Sequence, residues 1–173
     1  RALNKITIRN CFPLPRIDDI LDKLHGCKYF SSIDMRSGYW QVPIHQDDRP
    51  KTAFRTPLGH YQFKVLSMGL TNAPATFQQT MNSIFQPDLN TFVVVYLDDI
   101  LIFSGSKAEH VSHLRFVLDK LRQNNLYAHT KKCEFFKREL EFLGHIVGAD
   151  GIKVDPKKTD TDKRWPKPST LTE

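Results

Sequence analysis

The chain has 173 residues, 40% of them hydrophobic, and 25 Lys and Arg against 19 Asp and Glu give a net charge of +6. That length suits one domain, or a domain and a piece of a second, and the basic balance favours an anionic partner, of which nucleic acid is the commonest. No apolar stretch reaches membrane-spanning length, no signal peptide opens the chain, and the widely separated Cys11, Cys27 and Cys133 fit neither a disulfide framework nor a zinc site. Three unpaired cysteines suit reduced thiols in an intracellular protein. The opening Arg1-Ala2-Leu3-Asn4, without Met, is what a fragment of a longer protein would show.

Pro13 and Pro15 make an extended entry to a short helix with apolar residues at Ile17, Ile20, Leu21 and Leu24, which Gly26 stops. Lys28 to Ile33 reads as a strand that delivers Asp34 at its end. Ser37-Gly38 breaks the pattern, and the alternation of Trp40, Val42 and Ile44 predicts a second strand. Thr52–Arg55 and Tyr61–Leu66 flank Pro57-Leu58-Gly59 as a hairpin. Thr71-Asn72-Ala73-Pro74 offers a cap and a first-turn proline for a helix through Phe77, Met81 and Ile84-Phe85 that ends before Pro87.

Two apolar runs follow, Phe92 to Leu97 and Ile100 to Phe103, joined by Asp98-Asp99. They predict a tight hairpin with both aspartates as its link. Lys107 to Asn125 predicts a helix that buries Val111, Leu114, Val117, Leu118 and Leu121. Leu126–Ala128 and Glu141–Val147 read as strands, with turns at Gly144, Gly148 and Gly151. The tail from Asp155 is rich in Pro, Lys, Thr and Asp and has little core-forming power. The order of elements predicts an α+β fold, a sheet with helices on one face.

Two like charges at the tip of an apolar hairpin repel each other and resist desolvation, and a bound divalent cation removes that conflict. Two-metal phosphoryl transfer asks for carboxylates that bridge two cations. Adjacent residues of a strand point to opposite faces, so a third carboxylate should come from another strand end. Asp34 is the best placed, after an apolar strand and close to Gly38, which permits close approach. Asp18, Asp19, Asp47, Asp48 and Asp88 compete from more polar or helical surroundings.

Several ordered motifs carry a family resemblance. Tyr96-Leu97-Asp98-Asp99 resembles the Tyr-x-Asp-Asp box of reverse transcriptases, and Phe30 to Tyr39 is similar to the box that holds their first catalytic aspartate. Gly69-Leu70-Thr71-Asn72-Ala73-Pro74-Ala75-Thr76-Phe77-Gln78 is similar to the intervening box of gypsy-like long-terminal-repeat retrotransposons (Metaviridae). The resemblance runs from Arg1 to Trp165-Pro166-Lys167-Pro168 and implies a fragment of a Pol polyprotein. The implied fold is the reverse-transcriptase palm, a ferredoxin-like antiparallel sheet with helices on one face, plus partial fingers and the start of the thumb. The implied boundaries are partial fingers over 1–10, palm over 11–41, a fingers hairpin over 42–72, palm over 73–150 and thumb over 151–173.

The resemblance also implies roles. Asp34, Asp98 and Asp99 are the catalytic triad that binds two Mg2+ or Mn2+ ions. Tyr39 is the ring that meets the incoming sugar and selects deoxynucleotides. Met68 and Gly69 line the dNTP pocket, although Ser67-Met68-Gly69 stands where relatives usually carry Pro-Phe-Gly, which leaves the pocket floor less rigid. Gln78 either frames that pocket or is a solvated helix amide. Of the pair Lys131-Lys132, Lys132 is assigned to the dNTP, to protonate pyrophosphate or neutralise its charge. Leu143 and Gly144, in Phe142-Leu143-Gly144-His145, resemble the primer grip. Lys51, Arg55 and Lys64 fall in the fingers hairpin, where template or phosphate contact is open to them. The implied partners are primed RNA or DNA template, dNTPs, and the remaining fingers, thumb and ribonuclease H domains, with no membrane. The implied location is a cytoplasmic virus-like particle. In the tail, Lys158 to Lys163 departs from relatives, which carry apolar residues there.

Overall fold

The computed structural model describes residues 2–154. In chain order the elements are α1 (Ala2–Ile6), α2 (Ile17–Asp22), β1 (Tyr29–Asp34), β2 (Phe54–Thr56), β3 (Gly59–Tyr61), α3 (Ala73–Phe85), β4 (Val93–Tyr96) and β5 (Asp99–Ser104). They continue with α4 (Lys107–Gln123), β6 (Glu134–Lys137), β7 (Glu139–Phe142), β8 (His145–Gly148) and β9 (Gly151–Val154). Of the segment 151–173 expected to start the thumb, residues 151–154 form β9, and 155–173, with the Lys158–Lys163 departure, lie outside the described residues.

The central sheet has the order β4-β5-β1-β6, antiparallel throughout. With the helices interleaved as β1-α3-β4-β5-α4-β6 this is the ferredoxin-like pattern that the resemblance implied. Strand alternation divides the core in two. Ile33, Val93, Val95, Ile100 and Ile102 face α3 and α4, against Phe77, Met81, Phe85, Val117 and Leu121. Phe30, Val94, Leu101 and Phe103 face the other way, against Ile20, Leu21 and Leu24 of α2 and Leu140, Phe142 and Val147 of the second sheet, β7-β8-β9. The two long helices thus share one face, and the short α2 helps to cover the opposite one.

Four local expectations change. No strand forms over Trp40–Ile44: Ser37 is left-handed (φ 50°) and starts a 3-10 turn at Gly38–Gln41, and Trp40 is 58% exposed. Only a short pairing survives, with Leu66 N–H donating to Val42 O at 2.8 Å and Ile44 N–H to Lys64 O at 2.9 Å. Pro43 between them has no N–H to extend it. The helix α4 is turned so that His110 is fully buried, while Val111 and Leu118, expected inside, are 43% and 42% exposed. Leu126–Ala128 contributes only a single bridge, Met35 to Ala128. Asn72 does precede α3, but its side chain caps nothing there. β6, β9 and the 3-10 turn Thr130–Lys132 had no counterpart in the sequence reading.

Candidate active site

The Asp98-Asp99 hairpin turns one residue earlier than its sequence suggested. Tyr96 pairs with Asp99, so Leu97-Asp98 is the link and Asp99 opens β5. Leu97 takes φ 53°, an expensive conformation for a side chain of that kind. A buried amide holds it there. Gln78 of α3 is 0% exposed; its Nε2 donates to Val95 O at 3.0 Å and to Asn82 Oδ1 at 2.8 Å, and its Oε1 accepts from Leu97 N–H at 2.8 Å. Gln78 is therefore neither a solvated amide nor open to a nucleotide; it braces the turn from beneath.

Asp34 and Asp99 are direct cross-strand partners in the β1–β5 ladder, which places both side chains on the face of Phe30 and Leu101, away from α3 and α4. Asp98 takes a different direction. Its Oδ1 is buried with no hydrogen-bond partner. A Cβ on Gly38 would come within 2.7 Å of that oxygen and 2.9 Å of the Phe77 ring, so only glycine leaves this space to the carboxylate. Burial first, then the charges of Asp99 and Asp34, raise the Asp98 pKa. Asp99 is raised by desolvation and by Asp34, with Lys132 opposing. Lys132 Nζ lies 3.5 Å from Asp34 Oδ2.

Asp34, Asp99 and Lys132 line a cleft of about 370 Å³ together with Glu134, Leu143 and Gly144. Leu143 (φ 50°) and Gly144 (φ 77°) both adopt left-handed backbone, as the tight two-residue turn between β7 and β8 requires, and that turn lines the same cleft as Asp34 and Asp99. The Tyr39 ring packs tilted against Phe77 with centroids 5.2 Å apart, and burial, then the charge of Asp98, raise its phenol pKa. Met68 (71% exposed) and Gly69 (φ 90°) lie on a separate loop and do not line this cleft. Lys51 pairs with Asp48, and Arg55 of β2 sits opposite His60 of β3.

Two supports were not visible in the sequence. Gln41 donates to Arg36 O at 2.6 Å and Tyr127 O at 2.9 Å and accepts from Tyr127 N–H at 2.6 Å, tying the loop after Asp34 to the segment that leads to Lys132. Glu134 enters the cleft from β6 and pairs with Lys137 at 3.4 Å. Neither residue belongs to a periodic pattern, so no signal marked them.

The carboxylates fit divalent cations by two observations. Asp98 carries an orphaned buried oxygen, and the pair Asp34–Asp99 places like charges directly opposite each other. Among the described residues no three His, Cys, Asp or Glu side chains are already gathered closely enough to hold one ion.

Residues 1–147 match the family described as reverse transcriptase (RNA-dependent DNA polymerase). The chain belongs to this family. Among curated reverse-transcriptase relatives, the Pol polyproteins of the Drosophila melanogaster transposons 297 and gypsy are 47% and 38% identical over 169 and 171 residues. These alignments cover 98% and 99% of this chain but 16% of each relative, so the chain spans about a sixth of their length. It is thus a gypsy-like reverse-transcriptase segment. Among solved structures, the foamy viral protease–reverse transcriptase in complex with double-stranded DNA matches at a TM-score of 0.89 and 27% identity, covering 99% of this chain and 30% of that one. The same viral protein with an RNA/DNA hybrid matches at 0.87. No helix among the described residues is long and apolar enough to cross a membrane.

Proposed function

We propose that this segment is the palm, with part of the fingers and the start of the thumb, of an RNA-directed DNA polymerase, and that Asp34, Asp98 and Asp99 are its metal-binding carboxylates. The boundaries at 1–10, 11–41, 42–72, 73–150 and 151–173 belong to the proposal. The observation that carries it is the Asp34–Asp99 rung beside the Leu97-Asp98 turn, opening on the cleft that Lys132 and the Leu143-Gly144 turn share.

The reaction joins a primer 3′-oxygen to the α-phosphorus of a dNTP. A P–O bond forms, the bond to the bridging oxygen breaks, pyrophosphate leaves, and the hydroxyl proton passes to solvent. Two Mg2+ or Mn2+ ions, when bound, neutralise the phosphates and acidify the hydroxyl. The chain's own residues supply placement. Asp34 and Asp99 present carboxylates from adjacent strands, and the Gln78 brace and the Gly38 space fix where Asp98 sits. Lys132 brings a positive charge beside Asp34, suited to the departing pyrophosphate. Tyr39, whose phenol feels the charge of Asp98, would be the ring that excludes a 2′-hydroxyl. The Leu143-Gly144 turn would hold the primer end against the carboxylates. The complexes of the foamy viral relative with double-stranded DNA and with an RNA/DNA hybrid support primed RNA or DNA template as the partner.

Primer extension with Mg2+ or Mn2+ on RNA and DNA templates, by the segment restored to full fingers and thumb, tests this. Asp98→Asn should abolish extension while leaving duplex binding intact; persisting extension would overturn the carboxylate assignment. The 173 residues alone should extend primers weakly or not at all, and robust extension by them would refute that part.

A further inference from the structure

The loop 67–72 has little to hold it. Its own main chain offers Leu70 N–H to Ser67 O at 3.5 Å and Ala73 N–H to Leu70 O at 3.1 Å, and Gly69 sits at φ 90°. Two asparagines from distant parts of the chain supply the rest. Asn4 of α1 donates from Nδ2 to Gly69 O at 2.7 Å and accepts at Oδ1 from Thr71 N–H at 3.0 Å. Asn72 returns the same pattern. It donates to Ile8 O at 2.8 Å and accepts from Asn10 N–H at 2.9 Å. Each amide brackets residues i and i+2 of the other's segment, as the peptide group of a neighbouring strand would.

We infer that Asn4 and Asn72 are positioning residues, a reciprocal clamp that sets the Gly69–Thr71 turn and through it the dNTP-binding surface at Met68 and Gly69. The inference rests on the proposed polymerase reading, together with the dNTP role that the family resemblance implies for Met68 and Gly69, for the identity of that surface; the loop lies outside the carboxylate cleft itself. The clamp answers a weakness in this chain, where Ser67-Met68-Gly69 has no proline to stiffen it and Gly69 is left-handed. It also explains why a helix of five residues persists: α1 is too short to stand alone and is held through its partner loop. The chemistry demands asparagine. Aspartate has no donor for Gly69 O and sets a charge against it; alanine loses both bonds.

The experiment uses a full-length reverse transcriptase that carries this chain. Asn4→Ala should raise KM for dNTP about fivefold, the worth of roughly 1 kcal/mol of lost hydrogen bonding, with kcat and primer–template Kd held within about twofold. Asn4→Asp, nearly isosteric, should move KM the same way and serves if the alanine variant folds poorly. Amide hydrogen exchange at Thr71 should quicken in Asn4→Ala, and at Asn10 in Asn72→Ala. Unchanged Thr71 exchange overturns the clamp, whatever the polymerase reading does. Faster exchange with unchanged KM overturns its link to the nucleotide. A parallel fall of kcat, duplex affinity and melting temperature marks a purely structural role and overturns it as well. Extension that survives Asp98→Asn condemns the polymerase reading instead, and the exchange arm still decides the clamp.

Discussion

Asp98 is under electrostatic tension. Its Oδ1 is buried without a donor, and its pKa is raised by burial and by two neighbouring carboxylates. A carboxyl whose folded pKa lies above its unfolded value favours folding only while protonated. That contribution is full below the ordinary carboxylate range and is lost as pH rises through the raised pKa. At neutral pH without divalent cations the residue therefore weakens the fold. Asp98→Asn should raise the melting temperature of the metal-free protein at neutral pH and shrink the further rise on adding Mg2+. Thermal melts with and without the cation check both signs. The sequence showed Asp98 and Asp99 as one feature. Their division of labour, one in the turn and one on a strand, depends on a register set by Tyr96 and Asp99 pairing, which residue types do not announce.

Elements are held to one another by buried polar contacts that hydrophobic patterning passes over. Gln78 is one. Gln78→Leu would leave Val95 O and Leu97 N–H unpaired, destabilising the fold by about 2–4 kcal/mol and slowing turnover through a misplaced Asp98, as denaturant melts and single-turnover rates would show. His110 of α4 is another. Its ring bridges Ser31 Oγ of β1 at 2.7 Å and Ser104 Oγ of β5 at 2.9 Å. Ser31 Oγ also accepts from Phe136 N–H at the bulge where β6 meets β1, and Phe136 (φ 55°) packs its ring edge-on to His110 at 5.1 Å. Burial, then His113, lowers the His110 pKa, and burial lowers His113 as well, with Glu109, the Phe103 main chain and Asp88 opposing. A depressed histidine contributes stability above its unfolded pKa of about 6.5, lost as pH falls through the folded value. Unfolding free energy should therefore drop from pH 7.5 to 5.5 with a slope of at most about 1.4 kcal/mol per pH unit from this group, and His110→Gln should flatten it. The apolar stripe of α4 was legible at Val117 and Leu121. The orientation of the helix was not, because the contacts that set it lie 79 positions away in Ser31.

At the scale of the whole segment, the β1-α3-β4-β5-α4 part of the frame followed from apolar runs and helix signals that are local. β6 escaped notice because Glu134 to Lys137 alternates poorly and is mostly exposed, and β9 because all four of its residues are exposed. What the frame does for the site was also only half legible. Asp34 and Asp99 stand 65 positions apart and meet on the rung where β1 ends and β5 begins. Insertion of one residue within Tyr29–Asp34 should abolish extension and lower the melting temperature together, since it turns either the carboxylate or the apolar set to the wrong face. Extension assays and melts on the same variant check this.

That rung gives the site a parity. Asp34 shares even positions with Phe30 and Ser32, and Asp99 shares odd positions with Leu101 and Phe103. No exchange of one side chain for another can change which face a carboxylate occupies; only a change in residue count can. A substitution at Glu134, Lys132 or Leu143 therefore alters the lining of the cleft without re-aiming Asp34 or Asp99. An added residue at the β2–β3 tip, Pro57-Leu58, by contrast shifts no rung of the central ladder, because that hairpin forms a sheet of its own.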